Sequence, residues 1–149
     1  MQIRRAKEAD LPAIIALFGA DELNRSRPGF EPAVTPGALD AFREIEPDPN
    51  NELWVADLEG VVIGTFQLTF IPGLTRGGMR RALVEAVFVH PAHRKQRVGE
   101  AMMNHAIARA RERGCRMMQL TSDLRRIDAH RFYARLGFEG SHLGMKKLL

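Results

Sequence analysis

The chain has 149 residues, 45% of them hydrophobic, a formal net charge of +4 and one cysteine, Cys115. That length buries the core of a single domain, expected to span residues 1 to 149, and argues against a multidomain protein. One cysteine excludes an internal disulfide framework and a cysteine-rich zinc site, so a reducing compartment and a cytoplasmic location are expected.

Charge is distributed unevenly. Residues 1 to 60 carry 6 Lys/Arg against 12 Asp/Glu, and residues 61 to 149 carry 16 against 6. A basic second half suits a polyanionic ligand, an acidic first half suits a cationic one, and a charged solvated surface accounts for both equally well. Nucleic acid is a disfavoured polyanion, because the basic-aromatic interleaving of a stacking platform is missing.

Gln2 to Ala6 alternates as a short strand, and Asp10 to Phe18 has helical spacing behind a capping aspartate. Arg4, Arg5 and Lys7 ahead of the apolar stretch Leu11 to Phe18 imitate a secretory signal, but Glu8 and Asp10 interrupt it. No apolar run is long enough to span a bilayer, so no membrane association is expected. Residues 19 to 37, broken by Pro28, Gly29, Pro32 and Pro36, read as a substrate-facing region, and Ala38 to Ile45 as a further helix.

Leu53 to Asp57 and Val61 to Phe70 form a hairpin pattern around Asp57-Leu58-Glu59-Gly60, and Ala82 to Val89 adds a third strand. In Val98 to Arg113, Met102, Ala106 and Ala110 recur at helical spacing before Gly114. Arg116 to Thr121 reads as a strand, Ile127 to Leu136 as a helix, and Glu139 to Lys147 as a last strand. A strand-helix-strand passage places its strands parallel, so the fold class is α/β with a mixed central β-sheet flanked by helices.

The segment Val84 to Gly99 is the most informative, a buried strand running into a basic turn that opens a helix. The first amides of a helix lack intrahelical partners, and the peptide dipoles put partial positive charge at the same end. Arg94, Lys95 and Arg97 add full charges, so the turn is suited to phosphate.

Three segments together resemble the GCN5-related N-acetyltransferase (GNAT) superfamily. Val87 to Gly99 is similar to its strand plus Arg/Gln-x-x-Gly-x-Gly/Ala turn, with Arg94 opening and Gly99 closing it. Gly114 to Thr121 is similar to the following strand, and Ala129 to Phe138 to the helix ending in Phe-Tyr-x-x-x-Gly-Phe. The resemblance implies a GNAT acyl-CoA N-acyltransferase fold, acetyl-CoA as cosubstrate without a metal, and transfer of the acetyl group to a primary amine. The first glycine of the turn is replaced by Arg97, and arginine there is expected to keep an ordinary backbone conformation with its side chain turned outward.

The resemblance also implies site residues. Backbone groups of Val87, Phe88 and Val89 would bind the coenzyme's amide arm, and the turn Arg94, Lys95, Gln96, Arg97, Val98 and Gly99 its pyrophosphate. Ala129 and Phe132 would line the coenzyme from the later helix. Tyr133, the only tyrosine, would protonate the departing thiolate, since its ordinary pKa of about 10 keeps the proton on at neutral pH.

Glu85 lies in an apolar strand, on the side of Val87 and Val89 if alternation is regular. It reads equally as the base for the amine's proton, with a pKa raised by partial burial, or as the ion-pair partner of Arg80 or Arg81. His90 and His93 have no third ligand, Cys115 reads as a packed residue, and His130 as a helix-surface residue.

The acceptor is a small-molecule or peptide amine, and the acids between Asp21 and Glu52 favour a cationic one. The alternative is a catalytically weak or inactive acyl-CoA-binding sensor or interaction domain of the same fold. Analogy with the family implies a homodimer.

Overall fold

The computed structural model describes residues 1 to 149. In chain order it comprises β1 (Gln2–Arg5), α1 (Leu11–Gly19), α2 (Glu22–Arg25), α3 (Pro36–Ile45), β2 (Asn51–Leu58), β3 (Val61–Ile71), α4 (Thr75–Gly78), β4 (Arg81–Val89), α5 (Val98–Glu112), β5 (Met117–Gln119) and α6 (Ile127–Arg135). The strands form one sheet in the order β1-β2-β3-β4-β5, antiparallel except for the parallel pair β4 and β5. The expected α/β class, the meander and the parallel passage around α5 are all present.

Alternation divides the sheet into two faces. Phe66, Leu68 and Phe70 of β3 and Ala82 and Val84 of β4 pack with Met102, Met103 and Ala106 of α5, and Phe132, Tyr133 and Leu136 of α6 pack against this cluster. On the other face Leu53 and Val55 meet Leu11 and Ile14 of α1 and Phe42 of α3. Each fully buried aliphatic or aromatic side chain contributes about 1.5–3 kcal/mol, so these two clusters hold the layers together. Gly64 admits α5 close to the sheet: a Cβ there would stand 2.6 Å from Met102 Sδ and 3.1 Å from the Phe88 carbonyl oxygen.

Several elements depart from expectation. Asp10 does not cap α1; its carboxylate accepts from the Lys7 amide at 2.8 Å and pairs with Arg4 at 2.7 Å. The last strand expected over Glu139 to Lys147 does not form, and Leu143, Met145, Leu148 and Leu149 stand exposed there. β5 is the edge strand with only three residues in its ladder, and the tail does not pair with its outer edge.

β4 is irregular where it matters for the site. Thr65 pairs with Phe88 and Gln67 with Glu85, so Phe66 faces both Ala86 and Val87 across a β-bulge, and Ala86 has φ 49°. The extra residue reverses the alternation, a normal consequence of a bulge. Glu85 therefore shares a face with Phe88, and not with Val87 and Val89 as regular alternation predicts.

Candidate active site

β5 pairs with β4 only across Arg81–Leu83. Beyond that the strands part, and residues 84 to 89 present backbone groups that no strand on the β5 side satisfies. Val87 and Val89 pack against the α5 cluster, while Phe88 meets Phe18 of α1 at a ring distance of 4.9 Å. The opening thus has α5 and α6 on one side and α1 on the other.

At the mouth of this opening lies the turn before α5. Lys95 (φ 64°) and Arg97 (φ 61°) are both left-handed, and none of the backbone amides from Lys95 to Glu100 has an acceptor within the protein. Left-handed residues within such a run curl successive N–H groups toward one point, which makes an anion-binding concavity. The start of α5 adds its dipole. The Arg94 amide is not part of this run, since it donates to the Pro91 carbonyl at 3.3 Å.

Arg97 corrects the sequence reading. Its backbone takes the left-handed form that glycine would supply, and only its side chain behaves as expected, turned outward to chelate Glu100 at 2.9 and 3.1 Å. A left-handed non-glycine residue costs about 1–2 kcal/mol, and an exposed ion pair returns less than that. Arg97→Gly should therefore raise stability by up to about 1 kcal/mol, read as a higher urea midpoint; a fall would show that the Glu100 pair dominates.

The other side chains of the turn are unequal. Arg94 folds back, its Nε donating to the Val89 carbonyl at 3.3 Å and its Nη2 lying 4.0 Å from Asp21. Gln96 is held by the Ala92 carbonyl at 3.1 Å. Lys95 is exposed, without an ion pair.

Behind the turn, a Cβ on Gly99 would stand 3.5 Å from Phe132 Cζ and 3.7 Å from Val89 Cγ2. The end of β4, the start of α5 and the middle of α6 therefore converge, and half-buried Ala129 lies one turn before Tyr133 on α6. Tyr133 packs edge-on against Phe132 and Phe138, and its hydroxyl makes no hydrogen bond within the protein. Burial pushes its pKa above the ordinary value, and the nearby Arg126 pulls it back in part.

Glu85 is exposed and pairs with neither Arg80 nor Arg81. Arg80 instead donates to Asn50 at 2.5 Å. Neither the ion pair nor the partial burial considered for Glu85 is present.

Sequence reasoning missed the charged cluster at the open end. Asp21 caps α2, accepting from the Asn24 amide at 2.9 Å, and receives both Arg126 terminal nitrogens at 2.6 and 2.8 Å. Arg27 stands 3.5 Å from Asp123, which Arg125 also chelates at 2.9 Å through both of its oxygens. These arginines hold the Asp21 and Asp123 carboxyls below the usual carboxylate range. The pairs join positions 96 and 105 residues apart, so no local motif announces them.

A sheet split between its fourth and fifth strands, with a run of unpaired amides at the mouth of the split, is the architecture of an acyl-coenzyme A N-acyltransferase. The Acetyltransferase (GNAT) family profile matches residues 20–138. An aminoalkylphosphonate N-acetyltransferase of Salmonella typhimurium is 33% identical over 148 residues, covering 99% of this chain and 91% of the relative. Among solved structures, a transcriptional regulator from Bacillus halodurans superposes with a TM-score of 0.94 at 43% identity, covering 99% of both chains. A putative acetyltransferase from Agrobacterium tumefaciens superposes with a TM-score of 0.87 at 28% identity over the full length of both. The chain belongs to the GNAT family of N-acetyltransferases, whose cosubstrate is acetyl-CoA.

Proposed function

We propose that this protein acetylates the primary amine of a small acceptor that also carries an oxyanion, by direct attack on acetyl-CoA in a ternary complex. The observation that carries the donor half is the run of unpaired amides from Lys95 to Glu100 beside the split sheet. In this reading those amides and Lys95 hold the pyrophosphate, Arg97 acts mainly through its backbone, and Arg94 braces the turn through its side-chain bond to the Val89 carbonyl. The free edge at Val87, Phe88 and Val89 takes the amide arm, and Ala129 and Phe132 line it.

The acceptor half draws on two observations. Two of the acids between Asp21 and Glu52 are already paired within the protein, Asp21 with Arg126 and buried Glu52 with Arg109 at 2.7 Å, so neither is free for a cationic acceptor. The Salmonella relative is named for an aminoalkylphosphonate, a molecule with both an amine and an oxyanion.

As the amine nitrogen bonds to the acetyl carbon, the carbon–sulfur bond breaks and Tyr133 Oη gives its proton to the sulfur. Glu85, exposed on the face of Phe88, takes the amine's proton through water. Such proton transfers contribute about 10²–10⁴-fold each. Glu85→Gln should lower kcat/KM at neutral pH by about tenfold or more and flatten the acidic limb of the pH–rate profile; an unchanged profile removes Glu85 from the mechanism.

We also place this activity in a single cytoplasmic domain that assembles as a homodimer. The single buried Cys115, without a disulfide partner, and the exposed apolar side chains of the C-terminal tail support that reading. The direct test is coenzyme A thiol release from acetyl-CoA across a panel of small and peptide amines. Coenzyme binding without release for any amine would overturn the proposal in favour of a sensor domain.

A further inference from the structure

The cluster at the open end of the cleft carries more positive charge than its carboxylates neutralise. Arg27, Arg94, Arg125 and Arg126 share only Asp21 and Asp123. The Asp21–Arg126 pair links the α1–α2 side of the sheet to the α6 side, past the point where β4 and β5 part. It is largely shielded from solvent, the Asp21 side chain being 12% exposed and Arg126 27%.

Arg126 immediately precedes α6 and lies near enough to Tyr133 to act on its hydroxyl electrostatically. Arg27 reaches the same cluster from the other side and lines a cavity of about 320 Å³ between α1, the 26–35 loop and α3, together with Phe18, Asn24, Phe30 and Glu31. The uncompensated charge therefore stands between that cavity and the tyrosine.

We infer that Arg126 and Arg27 are the specificity-determining residues for the acceptor's oxyanion, and that Asp21 and Asp123 hold them in place until the acceptor arrives. This rests on the acetyl-transfer reading above and names the groups that select its acceptor. A planar guanidinium meets a phosphonate through two parallel hydrogen bonds, the geometry it already makes with Asp21. The four guanidiniums exceed Asp21 and Asp123 by two positive charges, and with Glu31 on the cavity wall the balance is still positive, which favours an anionic acceptor.

The test compares aminoethylphosphonate with its tetrahedral uncharged counterpart, in which a tert-butyl group replaces the phosphonate. The wild-type protein should favour the phosphonate by at least about 100-fold in kcat/KM, because a site built to hydrogen-bond a polar group rejects the analogue lacking it. Arg126→Gln and Arg27→Gln should each cut that ratio by about tenfold or more, and Arg126→Lys should retain part of it.

Methylphosphonate, which has no amine, should inhibit competitively against the acceptor and not against acetyl-CoA. A fall in both rates with the ratio intact would assign the arginines a purely structural role and overturn the inference. So would equal wild-type rates for the two amines, or inhibition competitive with acetyl-CoA alone. Release from neither amine, with release from other amines of the panel, would overturn this inference alone, and release from no amine at all would overturn the acetyl-transfer reading with it.

Discussion

Tyr133→Phe is expected to lower kcat by about 10²-fold or more while leaving the dissociation constant for acetyl-CoA nearly unchanged. The substitution removes one oxygen, and that oxygen has no hydrogen-bond partner within the protein, so no internal contact is lost. The ring keeps its edge contacts, 5.1 Å from Phe132 and 5.8 Å from Phe138 between centroids. Binding and folding should therefore survive, and only the proton delivered to sulfur should be missing.

The pH dependence separates this role from packing. Burial raises the tyrosine pKa above its ordinary value, so the acid stays protonated at neutral pH and wild-type kcat should fall only in strongly alkaline solution. Tyr133→Phe should lose that alkaline limb. Unchanged turnover, measured by thiol release, would remove Tyr133 from the mechanism.

The largest effect on stability is expected at Glu52, far from the chemistry. Its side chain is almost wholly buried, yet it faces Arg109 at 2.7 Å, Arg113 at 3.3 Å and Arg5 at 3.4 Å, and accepts from the Trp54 indole at 3.1 Å. Removing one partner of a buried ion pair costs about 3–5 kcal/mol, because the remaining charge is left uncompensated. Glu52→Gln leaves Arg5 and Arg113 without a carboxylate, while Arg109 keeps Glu112 at 3.0 Å, and should fall at the lower end of that range. Trp54 is the only tryptophan, so its fluorescence during denaturant unfolding reports the loss at the site itself.

Burial works to raise the Glu52 pKa, but the arginines and the indole outweigh it and the net shift is downward. The folded carboxyl thus holds its proton less tightly than the unfolded one. Its contribution is fully present above the unfolded pKa of about 4.3 and is lost as pH falls through the lower folded value. Glu52→Gln should be less stable near neutrality and show a weaker acid dependence than the wild type. A variant within about 0.5 kcal/mol of wild type would show that the arginines find other partners or water at no cost.

Much of this was legible in order along the chain. β-Branched and aromatic runs between turn residues located β2, β3 and β4, the spacing of Met102, Ala106 and Ala110 located α5, and Gly114 and Gly137 marked the ends of α5 and α6. These signals are local: period and turn chemistry depend on residues a few positions apart. The failures were of two other kinds. One was backbone conformation, where the bulge at Ala86 moved Glu85 to the opposite face and Arg97 took a glycine's φ. The other was pairing, where Glu139 to Lys147 had a strand's residues but does not join the short edge strand β5.

The sequence by itself determined the element order, the basic turn ahead of α5 and the tyrosine on α6, because those features are written in residue type and short spacing. Only the tertiary structure decided which way Glu85 points, that the amides from Lys95 to Glu100 are left unpaired, and that Asp21 meets Arg126. Each of these depends on what lies opposite a residue in space. Two segments 105 positions apart carry no mark of each other until the sheet has opened between them and their charges have met.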